Sequence, residues 1–162
     1  NFIMTNFLNI FDNQILFWSL IACLSAQFLK IVFYFILEGE LKFGIIFETG
    51  GMPSSHSALI TGVASGLGFE IGFDDPIFAF AVAISLIVMY DASGVRRSAG
   101  LNAAQINKIL EKLNNQSDVS LKETLGHTKI EVFVGSIIGP LITITGMAFL
   151  GSPKNILSLL AS

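Results

Sequence analysis

The chain has 162 residues, of which 52% are hydrophobic and only 13% charged, with a mean hydropathy of +0.72 and a net charge of −3. That charged fraction is about half the ~25% of soluble domains, which excludes an ordinary soluble domain; the negative balance excludes a generally basic nucleic-acid binder. The length suits one domain, residues 1–162, and a single cysteine, Cys23, rules out a disulfide framework within the chain.

Residues 1–13 contain no Lys or Arg and so lack the charged start of a signal peptide. The first apolar run, 15–37, exceeds the ~20 residues a bilayer core requires, and it carries Gln27 and Lys30. A second predicted span covers 55–73, where Ala58, Gly62 and Gly66 recur every four residues. Small residues at that spacing let helices approach closely in lipid. Asp74-Asp75-Pro76 then reads as a tight turn, because Pro76 suits a first helical position after acidic caps. The third span is 76–92 and the fourth 129–150, with Gly139-Pro140 as an expected kink.

Between spans three and four lies the only sizeable polar segment, 93–128. Leu101, Ala104, Ile106, Ile109, Leu110 and Leu113 fall at helical spacing, which predicts an amphipathic surface helix over 101–114. Asn114 to Asp118 reads as a loop. Ser120 and Glu123 form a capping-box pattern for one short turn, ended by Gly126. Residues 151–162 form an apolar tail too short to span. The expected fold is an all-α integral membrane bundle of about four transmembrane helices with one surface helix.

With four spans, the loops 38–54 and 93–128 share one side. Lys42, Arg96, Arg97, Lys108, Lys112, Lys122 and Lys129 belong to it, against Lys154 alone on the other. The positive-inside rule assigns the richer side, which also holds both histidines, to the cytoplasm or a stroma-like compartment.

The chemistry concentrates at two helix starts, whose unpaired N–H groups and positive dipole ends suit a phosphate. His127 and Glu131 stand at i and i+4, so the carboxylate can hold one imidazole nitrogen, fix the tautomer and free the other as a nucleophile. Thr128 and Glu131 equally form a capping box; spacing alone leaves both roles open. His56, after Pro53-Ser54-Ser55, is either an interfacial polar residue or a general acid for a leaving alkoxide. In the second case Ser54 and Ser55 would supply N–H and O–H donors to phosphoryl oxygens. Lys30 either snorkels to the interface or is functional at its depth. Arg96 and Arg97 are positive-inside anchors or planar phosphoryl donors, with Asp91 in reach to orient or neutralise one of them. Two histidines without a cysteine partner argue against a zinc site, and no cofactor is implied.

The segments GGMPSSHSA (50–58), YDASGVRRSAG (90–100) and LGHTKIEVFVG (125–135), in this order, resemble the divergent membrane branch of the type-2 phosphatidic acid phosphatase and vanadium haloperoxidase superfamily. The resemblance covers about 26–141. It implies that His56 is the general acid and that His127 is the nucleophile attacking phosphorus. Glu131 would replace the usual aspartate that orients the nucleophile, and Lys30 is the candidate phosphate-binding lysine. Three positions depart from the pattern: Leu37 and Leu121 stand where arginines are usual, and Ser55 replaces a glycine. Arg96 and Arg97 would supply the missing guanidinium groups. Four spans are fewer than the six common in membrane members, which leaves room for a homodimer.

Two functions follow as expectations. One is a metal-independent phosphatase acting on a membrane lipid phosphate, of the phosphatidate or phosphatidylglycerophosphate kind, through a phosphohistidine. The other is a non-catalytic membrane subunit that binds a phosphate or lipid headgroup, or docks a partner through its surface helix. A transporter ranks third, because four spans without repeat symmetry offer little for alternating access.

Overall fold

In the computed structural model, residues 9–48, 50–112 and 120–161 are described, and their regular structure is entirely helical. The helices are α1 (Gln14–Glu38), α2 (Ser55–Ile71), α3 (Pro76–Ser93), α4 (Val95–Lys112), α5 (Lys129–Phe149) and α6 (Pro153–Leu160); short 3-10 turns lie at Asn9–Asp12 and Phe43–Phe47. Their starts follow local chemistry. Asn13 Oδ1 accepts the Leu16 N–H at 2.9 Å, and Asp75 Oδ1 accepts that of Ile77 at 2.7 Å, with Pro76 opening α3 as expected.

Helix α2 is the centre of the bundle and packs against α1, α3 and α5. Its Ala58, Gly62 and Gly66 are buried, as their spacing predicted. A matching small face on α5 meets them: a Cβ on Gly135 would strike the Ser54 carbonyl, and one on Gly139 the Ala58 carbonyl. Large apolar side chains point outward instead, among them Leu24, Phe28, Phe80, Ile87, Phe133 and Leu141. Small residues inside and large ones outside is the arrangement expected where lipid is the solvent.

Among the described residues three helical segments are long and apolar enough to cross a membrane: Gln14–Glu38, Pro76–Lys112 (α3 running on into α4) and Lys129–Phe149. The expectation of about four spans thus meets three such segments and one shorter helix. Helix α2 has 17 residues, about 25 Å, at the short limit for a span.

The direction of the helices sets where the chemistry lies. Trp18 Nε1 donates to the Gly151 carbonyl at 2.8 Å, and Lys154 Nζ pairs with Asp12 at 3.0 Å, so the start of α1 meets the end of α5. The far end of α2 reaches the same place, since Gly66 abuts Ile15 and Met147. The start of α2, the end of α3 and the start of α5 therefore share the opposite end, and both histidines are there.

Two local expectations need correction. The surface helix begins at Val95, six residues before the predicted 101, and only Gly94 separates it from α3. The Gly94 N–H donates to Tyr90 O at 2.8 Å and the Ser98 N–H to Gly94 O at 2.9 Å, so backbone pairing carries on through the polar stretch. Positions 113–114 of that helix and the whole loop at 114–118 lie outside the described residues. Ser120 and Glu123 cap no helix. Instead Asn107 of α4 accepts the Leu121 N–H at 3.0 Å and donates to Leu121 O and Glu123 Oε1, both at 2.8 Å, tying 121–123 to α4.

Candidate active site at the paired helix starts

Two N-caps build this end of the bundle, and they are bonded to each other. Ser54 Oγ caps α2 by accepting the Ser57 N–H at 3.3 Å and the Ser57 hydroxyl at 3.0 Å. The Ser54 N–H donates to Glu131 O at 3.0 Å, tying the start of α2 to the first turn of α5. At α5, Thr128 Oγ1 accepts the Glu131 N–H at 3.3 Å while Glu131 Oε2 accepts the Thr128 N–H at 3.1 Å, a complete capping box.

The same Oε2 lies 3.0 Å from His127 Nδ1. The two roles that spacing left open are both filled by one carboxylate oxygen. An ionised carboxylate only accepts, so a neutral imidazole here carries its proton on Nδ1 and keeps the Nε2 lone pair. His127 is 3% exposed, and its Nε2 is buried with no hydrogen-bond partner among the described residues. Buried polar atoms are normally paired, so this nitrogen is the one the fold leaves free.

The backbone around His127 is held from outside its own helix. Its N–H donates to Ala92 O at 2.9 Å, fastening the segment to the end of α3. Gly126 has φ of +81°, and a Cβ there would run into the Arg97 backbone, so both conformation and space demand glycine. Ala92 and Gly126 went unremarked as site-building residues in the sequence. The glycine directly before the histidine was the one available signal for its close approach.

His56 and His127 line one small cavity together with Val88, Asp91, Ala92 and Arg96. At about 20 Å³ it holds roughly one water. Arg96 Nε donates to Asp91 Oδ2 at 2.6 Å across its mouth, so Asp91 neutralises and orients that arginine. On the other side of His127 opens a larger pocket of about 480 Å³, whose polar wall includes Glu48, Arg97, Glu123 and Glu131. The two arginines thus face different pockets.

Lys30 is 2% exposed, so it does not snorkel. Its Nζ donates to Glu48 O at 3.2 Å, where the 43–48 segment folds back over α1, and it stands within electrostatic range of Glu131 and His56. Ser54 and Ser55 are both buried and line neither of these two cavities. The Ser54 N–H is spent on Glu131, and its hydroxyl on the cap. Of the residues singled out in the sequence, His56, His127, Arg96 and Asp91 meet at one cavity; Glu131 and Lys30 do not line it.

Residues 11–142 match the family described as the Divergent PAP2 family. The chain belongs to that family. Over 140 residues it is 39% identical to an uncharacterized membrane protein, YuiD, of Bacillus subtilis (strain 168), an alignment covering 78% of this chain and 89% of that protein. No solved structure matches. Membership of the divergent PAP2 family, with the apolar helices, makes this an integral membrane protein of a phosphatase-related group.

Proposed function

We propose that this chain is a metal-independent phosphomonoesterase that hydrolyses a lipid phosphate at the membrane surface. One observation carries the reading: a buried imidazole whose Nδ1 is held by a carboxylate and whose Nε2 is free, beside a cavity shared with a second imidazole. In the first step His127 Nε2 attacks phosphorus in line. The P–N bond forms as the P–O bond to the lipid alcohol breaks, and His56 gives its proton to the departing oxygen. In the second step water attacks the phosphohistidine, His56 takes the water's proton, and the P–N bond returns its electron pair to Nε2.

Charge on the equatorial oxygens needs cations already in place. Arg96 lines the cavity, and the buried Lys30 ammonium, within electrostatic range of His56, donates to the Glu48 carbonyl. Arg96 must leave Asp91 for a phosphoryl group to fit a space of about 20 Å³. The excess of Lys and Arg in 38–54 and 93–129 supports a site on the cytoplasmic or stromal side.

That small cavity is also what favours a second reading, a subunit that binds a phosphate or lipid headgroup, or docks a partner, without turning anything over. Phosphate release from short-chain phosphatidic acid by the purified protein in detergent separates the two. Turnover that vanadate inhibits and that His127→Ala abolishes, with the fold retained, supports the enzyme. Anion binding without turnover in the unmodified protein supports the subunit.

A further inference from the structure

We propose that the groove between α3 and α5 holds an acyl chain of the lipid whose phosphate lies at the histidine pair, and that the Phe73–Phe78 pair sets the longest chain accepted. The inference rests on the lipid-phosphate reading above and adds to it a specificity device.

Helices α3 and α5 both lean on α2 but make few contacts with each other, which leaves an open channel over α2. The channel has a volume of about 450 Å³, with Thr61, Ala64 and Ser65 of α2 as its floor and Val82, Met89 and Pro140 on its walls. At its upper end it adjoins the candidate site: Met89 of the groove follows Val88 of the histidine cavity, and Ser85 lies one turn below. The larger pocket beside His127 carries Glu48, Arg97, Glu123 and Glu131 in its wall, so the groove is the apolar place for a tail.

The lining chemistry fits hydrocarbon. Four hydroxyls face the groove, and each already donates to a backbone carbonyl: Thr61 to Ser57, Ser65 to Gly62, Ser85 to Ala81 and Ser136 to Phe133, at 2.7–2.9 Å. No donor among them is left for a polar occupant. The segments on either side are of membrane-crossing length, so the groove lies at hydrocarbon depth.

Two aromatic rings stand at the lower end of the groove. Phe73 and Phe78 meet edge to face, with centroids 5.2 Å apart and planes at 88°. Gly68 makes room for them, since a Cβ there would lie 2.9 Å from Phe78 Cδ2. From Met89 down to Phe78 is eleven residues of α3, about 16 Å at 1.5 Å per residue. A tail moving from bilayer to groove leaves one hydrocarbon for another, so its burial brings little gain. Discrimination comes instead from the stop: a chain that fits is tolerated, and one that presses on the two rings is penalised as overpacking, roughly tenfold or more.

The test uses the full-length protein in detergent and a series of phosphatidic acids differing only in acyl length. Both phosphate release and lipid binding by native mass spectrometry are recorded. The unmodified protein should show a length beyond which binding and turnover fall roughly tenfold. Phe78→Ala should move that limit to longer chains, and Val82→Trp, which narrows the groove above it, to shorter ones. Neither should change turnover of a tail-less phosphomonoester such as p-nitrophenyl phosphate. Should Phe78→Ala fail to fold, the opposite shift in Val82→Trp still decides. One common limit in all three proteins, or none, overturns the groove. Length-limited binding without any phosphate release instead upholds the groove and removes the hydrolase.

Discussion

Glu131 carries two jobs on one oxygen, and two substitutions pull them apart. Glu131→Gln keeps a carbonyl that can accept the Thr128 N–H, now 3.1 Å from Oε2, so the α5 cap survives. What disappears is the negative charge 3.0 Å from His127 Nδ1. A hydrogen bond to a charged group contributes about 1 kcal/mol more than a neutral one, which is roughly five- to tenfold in rate if it strengthens as the imidazole becomes cationic. Where the amide turns its NH₂ toward Nδ1, the wrong tautomer is imposed and the loss reaches ~10⁴-fold. Thr128→Ala does the reverse: it removes the Oγ1 that accepts the Glu131 N–H at 3.3 Å and leaves the His127 contact. It should cost about 1 kcal/mol of stability with kcat nearly unchanged. The assay is phosphate release from short-chain phosphatidic acid beside thermal unfolding in the same detergent. Full kcat in Glu131→Gln, or an equal loss of kcat in Thr128→Ala, would refute the division of labour.

Three further outcomes are expected. Lys30→Met should fold normally, since an apolar side chain of similar length replaces a buried cation, but should raise KM at least tenfold; an unchanged KM in enzyme kinetics would remove Lys30 from phosphate binding. Gly139→Ala should lower stability by about 1–3 kcal/mol or more through overpacking, because its Cβ would press on the Ala58 carbonyl. Gly44→Ala, with nothing within 4 Å, should leave the unfolding temperature where it is, and equal effects would discredit the close helix contact. Arg96→Ala should change stability by less than about 1 kcal/mol, as its pair with Asp91 is exposed, yet raise KM; kinetics and unfolding measured together check both halves.

The helices were legible where one local rule governs them. The small-residue face of α2 followed from spacing, and the opening of α3 from Asp75-Pro76. Features that depend on a distant partner were not. Whether Lys30 snorkels is decided by the 43–48 segment folding over it, and no property of the first span announces that. The Ser120–Glu123 pattern is a valid cap in isolation, but Asn107 takes the Leu121 N–H first. The polar composition of 93–100 concealed a helix, in which the Gly94 backbone pairs on both sides. For the site, sequence named both histidines and the carboxylate. It did not separate Arg96 from Arg97, whose side chains one residue apart serve different pockets, nor foresee that Ser54 is consumed by holding α2 to α5.

The proposed hydrolysis turns on His127 Nε2 receiving the phosphoryl group. The direct measurement is to mix the protein with a phosphatidic acid labelled in its phosphate, quench in alkali within a turnover, and locate the label by peptide mass spectrometry. Label on the imidazole of His127, absent in His127→Ala, is the expected result. Phosphate released with no label on His127, or label on any other residue, would contradict it.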